Sequence, residues 1–266
     1  MKAALAYEFI RLRTLRSTWL LTIAALLMTL VSALALTVSP DVGVDGAQLG
    51  DQRAYAAVLA GATPYTPLLM GLLGAFAFGH EYRYGTMRTA LSVLPNRSNL
   101  VLAKVMAIAV WSSAVTALGV SLSVVVLLLF GAGRFEAGVG LTDPGTARVG
   151  AGIVIYVALF ALAGLAFGWL SRGIPVAVAL LLAIPFMLEP LLRLLLSTTG
   201  STLAGTLALL LPFGAGSQLF SYADDSAAVP VGFVNTLSPL AGGSVLAVVV
   251  LCLLSVAYAL FLKRDA

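Results

Sequence analysis

Few side chains in this sequence can make or break bonds. His80 is its single histidine and Cys252 its single cysteine, so neither a histidine–carboxylate relay nor an internal disulfide can be assembled, and no histidine or cysteine metal cluster is expected. Lys2, Lys104 and Lys263 are the three lysines, and none follows a glycine as a phosphate-binding P-loop requires. The chemistry left to the chain is the placement of charge. Glu189 and Arg193 stand four residues apart inside a long apolar run, hence on one helical face. Charge at membrane depth is costly, so the two are expected to pair or to line a water-filled path. The other concentration of charge is the island from Gly79 to Asn99, GHEYRYGTMRTALSVLPNRSN, set between two apolar runs.

Inside that island Gly85 and Thr86 read as a helix start, with the Thr86 hydroxyl able to cap free amides, and Pro95 as its stop. Met87, Leu91 and Leu94, with Ala90, fall at spacings of three, four and seven, while Arg88 points elsewhere. A helix of about two turns does not hold itself together, because nucleation is costly. It needs a surface, either its own bundle or a soluble partner. Ahead of the first apolar run a head helix sets Leu5, Phe9 and Leu12 on one face, with Lys2 and Arg13 toward water, as for a helix lying along a membrane. Arg16 sits where it can snorkel at the start of the first span.

The elements that position these groups follow from composition. With 61% hydrophobic and 10% charged residues, and apolar runs longer than the ~18 residues that cross a bilayer, the chain reads as an all-α polytopic membrane protein forming a single transmembrane domain over residues 1–266. Six spans are expected, at about Trp19–Val38, Tyr55–Gly79, Val105–Phe130, Ala151–Leu170, Ile174–Leu196 and Ala241–Leu262. The second is interrupted by Pro64 and Pro67. Residues 1–17 form the head helix, 80–104 an inner loop and 197–240 an outer loop. Within the outer loop Leu203 to Phe213 is too short, at ~1.5 Å per residue, to cross a ~30 Å core and is expected to be re-entrant.

Orientation comes from the basic residues. Lys2, Arg11, Arg13, Arg16, Arg83, Arg88, Arg97, Lys104, Arg172, Lys263 and Arg264 fall on one side, and Arg53, Arg134 and Arg148 on the other. The first side is therefore cytoplasmic, with both termini there. The sequence pI near 9.4 is accounted for by this sorting, and nucleic acid is not an expected partner.

On these residues the chain resembles the ATP-binding cassette (ABC) permeases of the type-2 class. The resemblance rests on Glu81, Gly85, Thr86, Leu91, Pro95, Arg97 and Lys104 around the loop, and on Glu8, Arg11, Arg13, Thr14, Arg16 and Ser17 in the head. It implies an exporter subunit of the bacterial cytoplasmic membrane that pairs with a second permease, identical or related. It also implies that the loop, through Glu81, Met87, Arg88, Leu91 and Leu94, docks on a separate cytoplasmic ABC ATPase, with the head helix beside it. ATP and magnesium would then be bound by the ATPase and no cofactor by this chain. Two other classes stay open at this point: an ion-coupled secondary carrier, with Glu189 as its one midplane carboxylate, and a non-transporting membrane scaffold.

Overall fold

The computed structural model describes residues 1–38, 51–61, 63–85, 97–131, 144–221 and 237–263, and every regular element among them is helical. Helix α1 (Lys2–Thr14) stops at Leu15, whose extended backbone (φ −76°, ψ 123°) lets α2 (Arg16–Val38) leave in a new direction. On α2 the buried stripe is Thr18, Thr22, Ala25, Thr29, Ala33 and Thr37, at helical spacing, with Leu21 its one large apolar member, while Leu20, Ile23, Leu27 and Val31 are exposed. Small and hydroxylated residues face the neighbouring helices and large apolar ones face outward, the arrangement expected where lipid is the solvent. The Thr29 and Thr37 hydroxyls bond back to carbonyls four residues earlier and so bury no unmet donor.

The proline-bearing second run divides into α3 (Asp51–Ala60) and α4 (Thr66–Tyr84), with Pro67 in the first turn of α4, where a missing amide costs nothing. α5 (Arg97–Phe130) begins two turns before the expected span and carries Lys104 on that extension. α6 (Pro144–Ser171) is the central helix, packed against α4, α5 and the last helix, α10 (Pro239–Lys263). Its glycines set the closeness of the α4 contact. A Cβ on Gly164 would strike the carbonyl of Gly71, and one on Gly168 the backbone of Ala75. The two backbones touch, as a small-residue pair four apart permits.

α7 (Ile174–Thr198) contains a π-helical turn at Ile184–Leu188. Pro185 and Pro190 have no amide to donate, and the Glu189 amide reaches back five residues to the Ile184 carbonyl. α8 (Thr202–Leu209) is capped by the Ser201 hydroxyl, which accepts from the Ala204 amide at 3.1 Å. After a bend of 69° come α9 (Pro212–Gly216) and a 3₁₀ turn to Phe220. The break falls at the end of the short apolar stretch whose length had excluded a full crossing.

Among the described residues five helices, α2, α5, α6, α7 and α10, are long and apolar enough to cross a membrane, and the bent α8–α9 pair makes a sixth if counted as one span. The sequence count of six used the α3–α4 run instead. α4 carries His80, Glu81 and Arg83 in its last turns. It is nevertheless enclosed on most sides, with Met70, Ala75 and Phe78 wholly buried. Those polar turns have an inner use.

Candidate functional site

Lys104 lies on the first turns of α5 with its side chain 0% exposed. A lone ammonium there would be heavily penalised by desolvation, and two carboxylates meet it. Nζ donates to Glu8 Oε1 at 2.6 Å and to Glu81 Oε1 at 2.5 Å. Arg11 closes the group. Its Nη1 donates to Glu8 Oε2 at 3.1 Å and lies 3.0 Å from Glu81 Oε1, and its Nη2 donates to the Ala77 carbonyl at 2.8 Å. Two cations and two carboxylates balance formally. The Phe78 ring lies beside the ammonium, its centroid 5.3 Å away, and adds the attraction of an aromatic face. Glu81 Oε2 is buried without a hydrogen-bond partner among the described residues.

The cluster joins three elements far apart in sequence. α1 contributes Glu8 and, one turn on, Arg11; α4 contributes Glu81 near its end; α5 contributes Lys104. The head helix therefore buries Ala4, Glu8 and Leu12, at spacings of four, rather than an all-apolar stripe. Leu5 and Phe9 are half-buried, and Arg13 and Arg16 are exposed. Lys2 and Arg13 are exposed as expected, but the expected buried face of Leu5, Phe9 and Leu12 is corrected to one that includes Glu8: a carboxylate can be buried when a buried lysine needs it. Burial, and then the carboxylates of Glu81 and Glu8, push the Tyr7 pKa above the ordinary tyrosine value, with Arg11 opposing.

α4 ends at Gly85 in the left-handed region (φ 65°, ψ 13°), a conformation that glycine adopts without strain. Thr86, Met87, Arg88, Leu91, Leu94 and Pro95 lie outside the described residues, and so does the side chain of Arg97, which opens α5. What the structure places is the root of that loop. Glu81 precedes it, Lys104 follows it, and the 2.5 Å contact between them fixes the spacing of its two ends. His80, just before Glu81, stacks on Phe76 with ring centroids 4.9 Å apart.

At the other end of the bundle Glu189 is 5% exposed. Its Oε1 accepts from the Phe213 amide at 2.9 Å and its Oε2 from the Gly214 amide at 2.8 Å. These are free donors of the first turn of α9, and the carboxylate satisfies both. The expected direct pairing with Arg193 is therefore replaced by a backbone clamp. Among the described residues the ion pairs of 4.0 Å or less all belong to the Lys104 cluster. Arg193 lies across Gly214, where a Cβ would collide with the guanidinium. Both residues line a cavity of about 590 Å³.

The family described as ABC-2 family transporter protein matches this chain over residues 4–187. A comparison with curated proteins gives no match. The matched stretch takes in the whole Lys104 cluster and ends within the π-helical turn, two residues before Glu189.

Proposed function

The chain belongs to the ABC-2 family of transporter proteins, and from that premise we propose that it is the permease subunit of an ATP-driven exporter, worked by a separate cytoplasmic ABC ATPase. Its apolar helices and its family make it a multi-pass membrane protein and a transport subunit. The proposal adds the coupling route, the direction of transport, pairing with a second permease subunit, and residence in a bacterial cytoplasmic membrane with both termini inside. ATP and magnesium belong to the ATPase in this reading.

The observation that supports it best is the Lys104 cluster. A loop that is to transmit force needs roots that do not yield. Glu81 and Lys104 tie its two ends together, and Glu8 and Arg11 tie the head helix to both. A displacement of residues 86–96 then reaches α1, α4 and α5 as one body, and through the backbone contact at Gly164 it reaches α6. ATP binding moves the permease only if the ATPase contacts the loop differently in its two states. Met87, Leu91 and Leu94 are the proposed apolar anchors and Arg88 the rim charge. An ion-coupled carrier gains no support from Glu189, because both of its oxygens are held by backbone amides.

Leu91→Asp tests the proposal. Truncating or charging an anchor at the centre of a small interface typically costs ~2 kcal/mol or more. The tagged wild-type chain in mild detergent should retain an ABC ATPase whose hydrolysis responds to the permease. Leu91→Asp should lose both while keeping its helical circular dichroism. An unchanged ATPase complex and unchanged export in that variant would overturn the coupling role.

A further inference from the structure

We propose that the cavity between α7 and the α8–α9 turn is a binding site for a small anionic amphiphile, with Arg193 as the group that takes its acidic head. The inference stands on the cavity alone and does not depend on ATPase coupling. At about 590 Å³ the space lies within the ~300–1,000 Å³ usual for small-ligand sites. Phe160, Phe186, Leu194 and Phe213 give it apolar walls. The π-helical turn shifts the register of α7 beside it, a feature frequent at functional sites.

Charge decides what fits. Among the described residues lining the cavity, Glu189 and Arg193 are the only charged ones. Glu189 has given both oxygens to the Phe213 and Gly214 amides. Arg193 makes no ion pair and no hydrogen bond among the described residues, and its guanidinium is spread over Gly214 at the cavity wall. The cavity therefore offers apolar walls and one planar donor fork that makes no hydrogen bond among the described residues, although it attracts the nearby Glu189 through space. A guanidinium in that state recognises a carboxylate or phosphate bidentately. A ligand of apolar body and single acidic head satisfies both features. A neutral ligand leaves the fork unmet, and a cationic one opposes it.

The test uses the full chain in phosphatidylcholine nanodiscs and two fluorescent probes, dansylaminoundecanoic acid and its primary amide. The wild type should bind the acid at least about tenfold more tightly than the amide. Arg193→Gln should bring the acid down to the level of the amide without changing amide binding, and Arg193→Lys should keep part of the preference. Arg16→Gln, an exposed arginine at the opposite end, should change neither. Adding phosphatidylglycerol separates the sources of the acidic head: displacement of the probe identifies a resident lipid, and undiminished binding a free amphiphile. Equal wild-type affinity for acid and amide would overturn the proposal with no variant needed, and so would an acid preference that survives Arg193→Gln.

Discussion

Both ends of this bundle bury glutamate, and they neutralise it in opposite ways. At one end Glu8 and Glu81 give their oxygens to Lys104 and Arg11, side chains arriving from other helices. At the other, Glu189 gives its oxygens to two consecutive backbone amides of α9. The first arrangement ties together elements separated by up to 96 positions in the chain and leaves the cations wholly engaged. The second fixes one local turn and leaves Arg193 without a hydrogen bond or ion pair among the described residues. A buried carboxylate thus reports on function through its partners: shared among side chains it braces helices against each other, and spent on backbone it frees a neighbouring cation for a ligand.

The comparison is broken most readily at Lys104. Lys104→Met leaves two carboxylates facing Arg11 alone in a site sealed from water, and removing one member of a buried ionic group typically costs ~3–5 kcal/mol. A large fall in detergent melting temperature is the expected result. Either Glu8→Gln or Glu81→Gln added to Lys104→Met should recover much of it, because a single carboxylate then faces Arg11 in balance. Melting of Lys104→Met at the wild-type temperature would mean that the cluster braces nothing.

Glu189→Gln should cost less, about 1–3 kcal/mol, because the amide that replaces the carboxylate can satisfy one α9 donor but turns its own NH₂ toward the other. Its loss is expected as loosening of the α8–α9 segment, read by faster hydrogen exchange at Phe213 and Gly214, with the Lys104 end unaffected. Uniform exchange across both ends would contradict the separation drawn here.

A pair of double-mutant cycles sharpens the contrast further. Glu8→Gln with Lys104→Met should depart strongly from additivity. Glu189→Gln with Arg193→Gln should depart from additivity much less, since the two side chains attract through space but make no direct ion pair. Strong coupling in the second cycle would restore the direct pairing that their spacing suggests.

What the sequence makes legible is whatever rests on runs and spacing. Apolar length locates α2, α6, α7 and α10 to within a few residues at most ends, and the interval between Gly164 and Gly168 announces a close helix approach that α4 supplies. The eleven residues from Leu203 to Phe213 are too few to cross, and the chain bends there. Partner choice is not legible in the same way. Glu8, Glu81 and Lys104 each appear in the polar head or loop, and nothing in their spacing says that three helices bring them to one point. The signal available is Lys104 itself, a lysine immediately before an expected span, where a cation must either reach water or find carboxylates. The i, i+4 spacing of Glu189 and Arg193 suggests a direct pair, yet backbone donors compete and leave no mark in the sequence. Pro212 hinted at them, since proline favours the first turn of a helix and such a turn has free amides to satisfy.

The smallest effect belongs to Tyr7, and it tests the sign of the field around the cluster. The cluster is neutral in sum, but Tyr7 stands nearer in effect to its carboxylates: burial, then Glu81, then Glu8 raise its pKa, and Arg11 only partly offsets them. The folded chain therefore holds the Tyr7 proton at pH values where an unfolded chain, with an ordinary value of about 10, has lost it. Below pH ~10 both states are protonated and Tyr7 contributes nothing to pH dependence. As the pH rises from ~10 through the folded value the unfolded state gains by ionising first, so stability falls. The fall should be slight, because Tyr7 is 40% exposed and water screens its neighbours. The difference in ultraviolet titration between the wild type and Tyr7→Phe isolates one phenol among eight, and its midpoint should lie above that of free tyrosine. Glu81→Gln should draw that midpoint down. If the Tyr7 phenolate instead forms at or below the ordinary value, Arg11 dominates its surroundings and the cluster is less closely balanced than its four contacts indicate.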